Sequence, residues 1–172
     1  MPVRIKNDKE RICKEMDILL ISNDDVCRSR MAQEILNAFG RGMKITTAGI
    51  VEGNHVPEEV CQVMVQHGYD LSRRKPVAVS ALAVKSWDFI VTLCEEAETE
   101  LPSLGLTSKY AEHFHFDDPF RNRTMNEEET EEKLNGLYEE MYRTLFRFYR
   151  DYVADLIMPA CTCGANTYCR CE

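Results

Sequence analysis

Apolar and polar positions along this 172-residue chain alternate between two periods. A strand-length apolar run, Met16-Asp17-Ile18-Leu19-Leu20-Ile21, ends at Ser22, and from Ser29 the spacing of Met31, Ile35, Leu36 and Phe39 is helical to about residue 40. Gly40-Arg41-Gly42 stops that helix, and Met43–Ala48 reads as a second strand ending at Gly49. Pro57-Glu58-Glu59 opens a second helix, with a proline at its first turn and acids at the positive end of its dipole; Val60, Val63, Met64 and His67 share one face. A short helix is expected over 79–85, then strands over 87–94 and 111–116. Residues 127–157 predict one long helix, or two broken at Gly136. Their apolar stripe is Leu134, Leu137, Tyr138, Met141, Leu145, Phe148, Tyr149, Tyr152 and Leu156. Strand and helix patterns in alternation, with crossovers long enough for parallel pairing, predict an α/β fold: a doubly wound open parallel sheet of about four strands with helices on both faces.

Length and charge narrow the picture. The chain suffices for one core domain, placed at 16–158, with an N-terminal arm over 1–15 and a tail over 159–172. A net charge of −8 opposes a nucleic-acid partner, because phosphate-backbone binding needs a concentrated basic face and Arg73-Arg74-Lys75 is only a local patch. No apolar run approaches the roughly 20 residues of a membrane span, and the first residues lack a signal peptide's apolar centre, so no membrane partner and a cytoplasmic location are expected. Eight cysteines then read as thiols, redox groups or metal ligands rather than a disulfide framework.

The candidate chemistry gathers where the first strand gives way to the first helix. Ser22-Asn23-Asp24-Asp25-Val26-Cys27-Arg28-Ser29 is a short polar loop entering a helix N-terminus. Converging amides and the helix dipole make an anion cradle there, and Arg28 can clamp two oxygens of a tetrahedral oxyanion such as a phosphoprotein's phosphoryl group. Cys-Arg-Ser-Arg-Met-Ala after a strand and loop resembles the low-molecular-weight protein tyrosine phosphatase and thioredoxin-coupled arsenate reductase family, whose loop reads Cys-x-Gly-Asn-x-Cys-Arg-Ser. Thr47-Ala48-Gly49-Ile50 and Gly68-Tyr69-Asp70-Leu71-Ser72 are similar to two further family patterns.

The resemblance places the family's nucleophilic cysteine at Ser22, its loop glycine at Asp24 and its asparagine at Asp25, while Cys27, Arg28 and Ser29 keep the pattern. It implies that Asp118, beside Pro119, is the general acid, and that Cys94 is the second redox cysteine of the arsenate reductases. The third would fall on Leu101, which cannot form the disulfide that is passed to thioredoxin. A serine hydroxyl stays protonated near neutral pH and needs a general base, and a carboxylate about 4 Å from a bound oxyanion costs about 4 kcal/mol at an effective dielectric near 20 unless it points away. Three readings follow: a catalytically silent binding or regulatory relative, an active phosphatase or reductase in which Ser22 is an alternative or engineered nucleophile, and a divalent-metal site at Asp24 and Asp25. His55 and His67 read as ordinary surface or half-buried histidines.

The tail holds two Cys-x-Cys pairs. Cys161, Cys163, Cys169 and Cys171 can supply four thiolates to one tetrahedral ion, zinc first, with iron–sulfur, soft-metal or arsenic(III) binding and plain thiol redox chemistry as alternatives.

Overall fold

The computed structural model describes residues 15–121 and 124–157, so all of the expected arm except Glu15, and the whole cysteine tail, lie outside the described residues. Four strands, β1 (Met16–Ser22), β2 (Met43–Gly49), β3 (Ser86–Thr92) and β4 (Thr107–His113), form one parallel sheet in the order β2-β1-β3-β4. The helices are α1 (Arg28–Phe39), α2 (Glu58–Gln66), α3 (Glu95–Glu100), α4 (Glu127–Phe148) and α5 (Ala154–Ile157).

Burial explains the strand signals. β1 is central and covered on both faces: Ile18 and Leu20 join a core with α1, α2 and α4, whereas Leu19 and Ile21 face a smaller core with Val79, Trp87, Ile90 and Ala97. A strand buried on both sides reads as a continuous apolar run. β4 is an edge strand with Lys109, Tyr110 and Ala111 exposed, so its sequence carries no such run. The strand therefore lies at 107–113 rather than at the expected 111–116. The chain beyond it stays tied to the end of β3, with Phe114 N donating to Thr92 O at 2.9 Å and Phe116 N to Leu93 O at 3.2 Å.

The two faces are unequal: α1, α2 and α4 cover one, and α3 with a single 3₁₀ turn at Val79–Ala81, shorter than the helix expected over 79–85, covers the other. α1 is fixed by Met31, Ile35 and Leu36, each fully buried and each contributing roughly 1.5–3 kcal/mol. α4 starts at a capping box in which Asn126 Oδ1 accepts from Glu129 N at 2.8 Å and Asn126 N donates to Glu129 Oε2 at 3.0 Å. It runs unbroken through Gly136. The interruption comes later, as a π turn at Tyr149–Val153. Its wider turn advances the register, so Val153 is fully buried while Tyr152 and Leu156, members of the expected stripe, are about half exposed. His67 stacks on Tyr138 at 3.6 Å between ring centroids, and its Nε2 meets Asn135 Oδ1 at 2.9 Å, a structural role.

Candidate functional site

In this sheet order the chain passes from β1 to β2 on one side and then crosses back to β3 on the other. The carboxyl ends of β1 and β3 therefore flank the switch point where open α/β sheets bind ligands. The loop from Ser22 to Arg28 lies there. Its start is anchored by three backbone bonds: Ile50 N to Ser22 O at 3.0 Å, Val51 N to Asn23 O at 2.9 Å and Leu93 N to Ile21 O at 2.9 Å. Gly49 and Gly53 let it pass. A Cβ on Gly49 would stand 2.7 Å from the Asp24 carbonyl carbon, and one on Gly53 would overlap the Asp24 carbonyl oxygen. Among the described residues, the amides of Asn23, Asp24, Val26, Cys27 and Arg28 have no internal acceptor, which leaves five donors unspent in the loop that enters α1.

Asp25 shapes the loop from behind. It is the one described non-glycine residue with positive φ, at 56°, a conformation that aspartate tolerates better than most residues. The glycine-like backbone thus falls at Asp25, not at Asp24. The Asp25 side chain is fully buried and points away from the cradle: Oδ1 accepts from Ser29 Oγ at 2.6 Å, and Oδ2 accepts from Arg30 Nη2 at 2.7 Å and Val77 N at 2.9 Å. Arg30 also reaches Asp25 O with Nε at 3.3 Å and the Lys75 carbonyl with Nη2. Burial pushes the Asp25 carboxyl above its ordinary range, while the Ser29 hydroxyl, the Arg30 charge and the Val77 amide pull it back. Donors on both of its oxygens are the partners of a carboxylate. The Asp25 charge is thus paired with Arg30 and turned toward Ser29 and Val77, which lessens the repulsion of a bound oxyanion that the sequence predicts at this position. Among the described residues no three acidic, histidine or cysteine side chains are grouped to hold a metal ion.

Ser22 lies at the floor of the loop, 1% exposed. Its Oγ donates to Ser29 Oγ at 2.9 Å and accepts from Asp25 N at 3.2 Å. Arg28, also buried, donates through Nη1 to Phe116 O at 3.0 Å, which ties it to the segment leading to Asp118. Asp118 is half-buried; its Oδ1 accepts from Phe120 N at 2.9 Å, fixing the turn at Pro119.

Neither described cysteine near the loop has the surroundings of a reactive thiolate. Burial drives the Cys27 thiol far up; Arg28 lowers it, and Asp118 and Asp24 raise it further. Its Sγ sits 3.7 Å from Met31 Sδ, as a core thiol would. Cys94, just before α3, is buried among Leu19, Ile21 and Ala97 with Leu101 packed on the same cluster, and burial raises its thiol too. The thiolates of the tail lie outside the described residues.

Sequence reasoning missed Arg30. Its signal is an unpaired-looking aspartate in the loop and a second arginine on the first turn of the helix, but only the fold shows that they meet. It also missed Val77, whose amide reaches Asp25 from 52 positions away.

The model of the low molecular weight phosphotyrosine protein phosphatase family matches residues 17–153. Among curated relatives, a probable low molecular weight protein-tyrosine-phosphatase, EpsP, of Ralstonia solanacearum is 30% identical over 117 residues, covering 63% of this chain and 81% of that protein. An arsenate reductase of Staphylococcus aureus is 34% identical over 106 residues, covering 59% and 77%. Among solved structures, the Drosophila arginine phosphatase DARP superposes with a TM-score of 0.64 at 21% identity, covering 80% of this chain and 98% of its own. An arsenate reductase in its oxidized state superposes with a TM-score of 0.60 at 19% identity, covering 77% and 98%. These last two are likenesses of fold. Because the matched stretch runs through both the Ser22–Ser29 loop and the Asp118 turn, the chain belongs to the low molecular weight phosphotyrosine protein phosphatase family.

Proposed function

We propose that this protein binds tetrahedral oxyanions, a phosphoryl group on a protein being the foremost, in a phosphatase loop that has lost its thiolate and with it sustained turnover. The observation that supports this reading is a run of loop amides without internal acceptors between the neutral hydroxyl of Ser22 and Arg28 at the start of α1. In a thiolate enzyme the nucleophile's charge opposes a bound anion; at about 4 Å and an effective dielectric near 20 that repulsion is about 4 kcal/mol per unit of ligand charge. A hydroxyl removes it, so ground-state binding gains what catalysis gives up. Thioredoxin-coupled arsenate reduction does not fit either, because Leu101 occupies the resolving position.

Calorimetric titration with inorganic phosphate and with a phosphotyrosine peptide tests the reading. Binding is expected, and Arg28→Lys should weaken it by about tenfold or more, the worth of one charge-assisted hydrogen bond of roughly 1.5–3 kcal/mol. Failure to bind phosphate overturns the proposal. So does steady hydrolysis of an aryl phosphate that is lost in Ser22→Ala.

A further inference from the structure

The hydrogen bonds behind the loop have a direction. Asp25 Oδ1 is an acceptor only, so the single proton of the Ser29 hydroxyl is committed to it at 2.6 Å. Ser29 Oγ must then accept from its other neighbour, and the proton of Ser22 points to it at 2.9 Å. Asp25 N donates to one lone pair of Ser22 Oγ at 3.2 Å, leaving the second unspent. An asparagine at position 25, as in the loop pattern this sequence resembles, could give a hydrogen to Ser29. The Ser29 proton would then turn toward residue 22, which is what an anionic sulfur there needs. Serine at 22 and aspartate at 25 are thus a matched pair: a nucleophile that must lose a proton, and a carboxylate at the end of the wire that receives it.

We infer that Ser22 takes a phosphoryl group from a bound phosphomonoester, with Asp25 acting as general base through Ser29. This rests on the oxyanion-binding reading above. In the step, a bond forms between Ser22 Oγ and phosphorus as the ester bond to the leaving oxygen breaks, and that bond's electron pair leaves with the oxygen. The proton of Ser22 moves to Ser29 while the proton of Ser29 moves to Asp25 Oδ1. Arg30 and the Val77 amide remain on Oδ2, the oxygen that receives no proton. A phenolate leaving group stays ionised; an alkoxide takes a proton from Asp118. No electrons are exchanged with any other group. The product is a phosphoserine, and because a serine alkoxide leaves phosphorus far less readily than a thiolate, the reaction stops at one phosphoryl group per chain.

The test mixes the reduced full-length protein with para-nitrophenyl phosphate and reads nitrophenolate released per chain, with the phosphorylated residue mapped by mass spectrometry. A burst approaching one nitrophenolate per chain, with phosphate on Ser22, is expected, followed by background. Ser22→Ala should abolish the burst. Asp25→Asn and Ser29→Ala should each slow it by about 10²- to 10⁴-fold, the usual worth of a general base. Ser29→Ala leaves the Asp25–Arg30 pair in place, so it carries the test if Asp25→Asn does not fold. Protein that binds phosphate but gives no burst, or a burst mapped to another residue, overturns this inference and leaves the binding reading standing. A burst undiminished in Ser29→Ala or Asp25→Asn overturns the relay. Loss of phosphate binding in the unaltered protein overturns the reading beneath it.

Discussion

Replacing Arg30 by methionine keeps the length and apolar stem of the side chain and removes its charge from a site where Asp25 is fully buried and the Arg30 side chain is 7% exposed. At 2.7 Å and an effective dielectric near 20 the direct attraction between the two is about 6 kcal/mol, part of which offsets the cost of burying both ions. Breaking a buried pair by deleting one partner typically costs about 3–5 kcal/mol, and for a chain of this length each kcal/mol lowers Tm by about 2–4 °C. Arg30→Met should therefore lose about 3–5 kcal/mol and roughly 6–20 °C. Urea unfolding followed by the fluorescence of Trp87, the single tryptophan and a buried one, reads the change. The sign of its pH dependence is fixed as well. Burial already raises the folded-state pKa of Asp25 above its unfolded value, and removing Arg30 raises it further. A carboxyl raised in this way binds a proton on folding, so it adds stability at low pH and loses it as pH rises through the folded-state value. The deficit of Arg30→Met should accordingly shrink on acidification, and Arg30→Met combined with Asp25→Asn should recover most of it. A loss below about 1 kcal/mol, or a deficit that grows in acid, would refute the assignment of Asp25 as a paired buried carboxylate.

The other predictions concern sulfur. Ser22→Cys alone should hydrolyse para-nitrophenyl phosphate poorly, because the Ser29 proton stays committed to Asp25; adding Asp25→Asn should raise the rate, and equal rates in the two variants would contradict the directed hydrogen-bond chain. Cys27 and Cys94, buried and raised in pKa, should resist iodoacetamide in the native protein and react on unfolding, as peptide mapping will read; native alkylation at Cys27 comparable to that at Cys61 would contradict the core assignment. Cys161, Cys163, Cys169 and Cys171 are expected to take up one soft or borderline ion, zinc first; elemental analysis of reduced protein showing no metal, with thiol reactivity unchanged by added zinc, would refute it.

The sheet was legible where burial writes itself into sequence. The run Ile18–Ile21 is apolar throughout because both faces of β1 are covered, and the Pro57 start of α2 and the apolar stripe of α4 follow local patterns along the chain. β4 was displaced by four residues because an edge strand has one face to satisfy and tolerates Lys109 and Glu112. The π turn was hidden because Tyr152 and Leu156 continue the helical stripe on paper, and only packing against the sheet selects Val153 instead. At the site, the positions of Ser22, Arg28 and Asp118 were readable from motif and order. The orientation of Asp25 was not, since it depends on Arg30 one helical turn on and on an amide at Val77 that only the tertiary fold supplies.

The close fit of Gly49 and Gly53 against the loop, together with the anchored Asp25, bears on timing rather than affinity alone. A cradle already held in shape asks no ordering of a ligand that enters it, so the rate of capture is set by diffusion and by the field of the whole molecule. That field is unfavourable at a distance, because the chain carries a net charge of −8 and the proposed ligand is an anion. Capture should therefore quicken as salt screens the repulsion, the reverse of an electrostatically steered complex, while release is governed by the few short-range donors inside. Discrimination between one oxyanion and another then resides in how long each stays, and hardly at all in how fast each arrives.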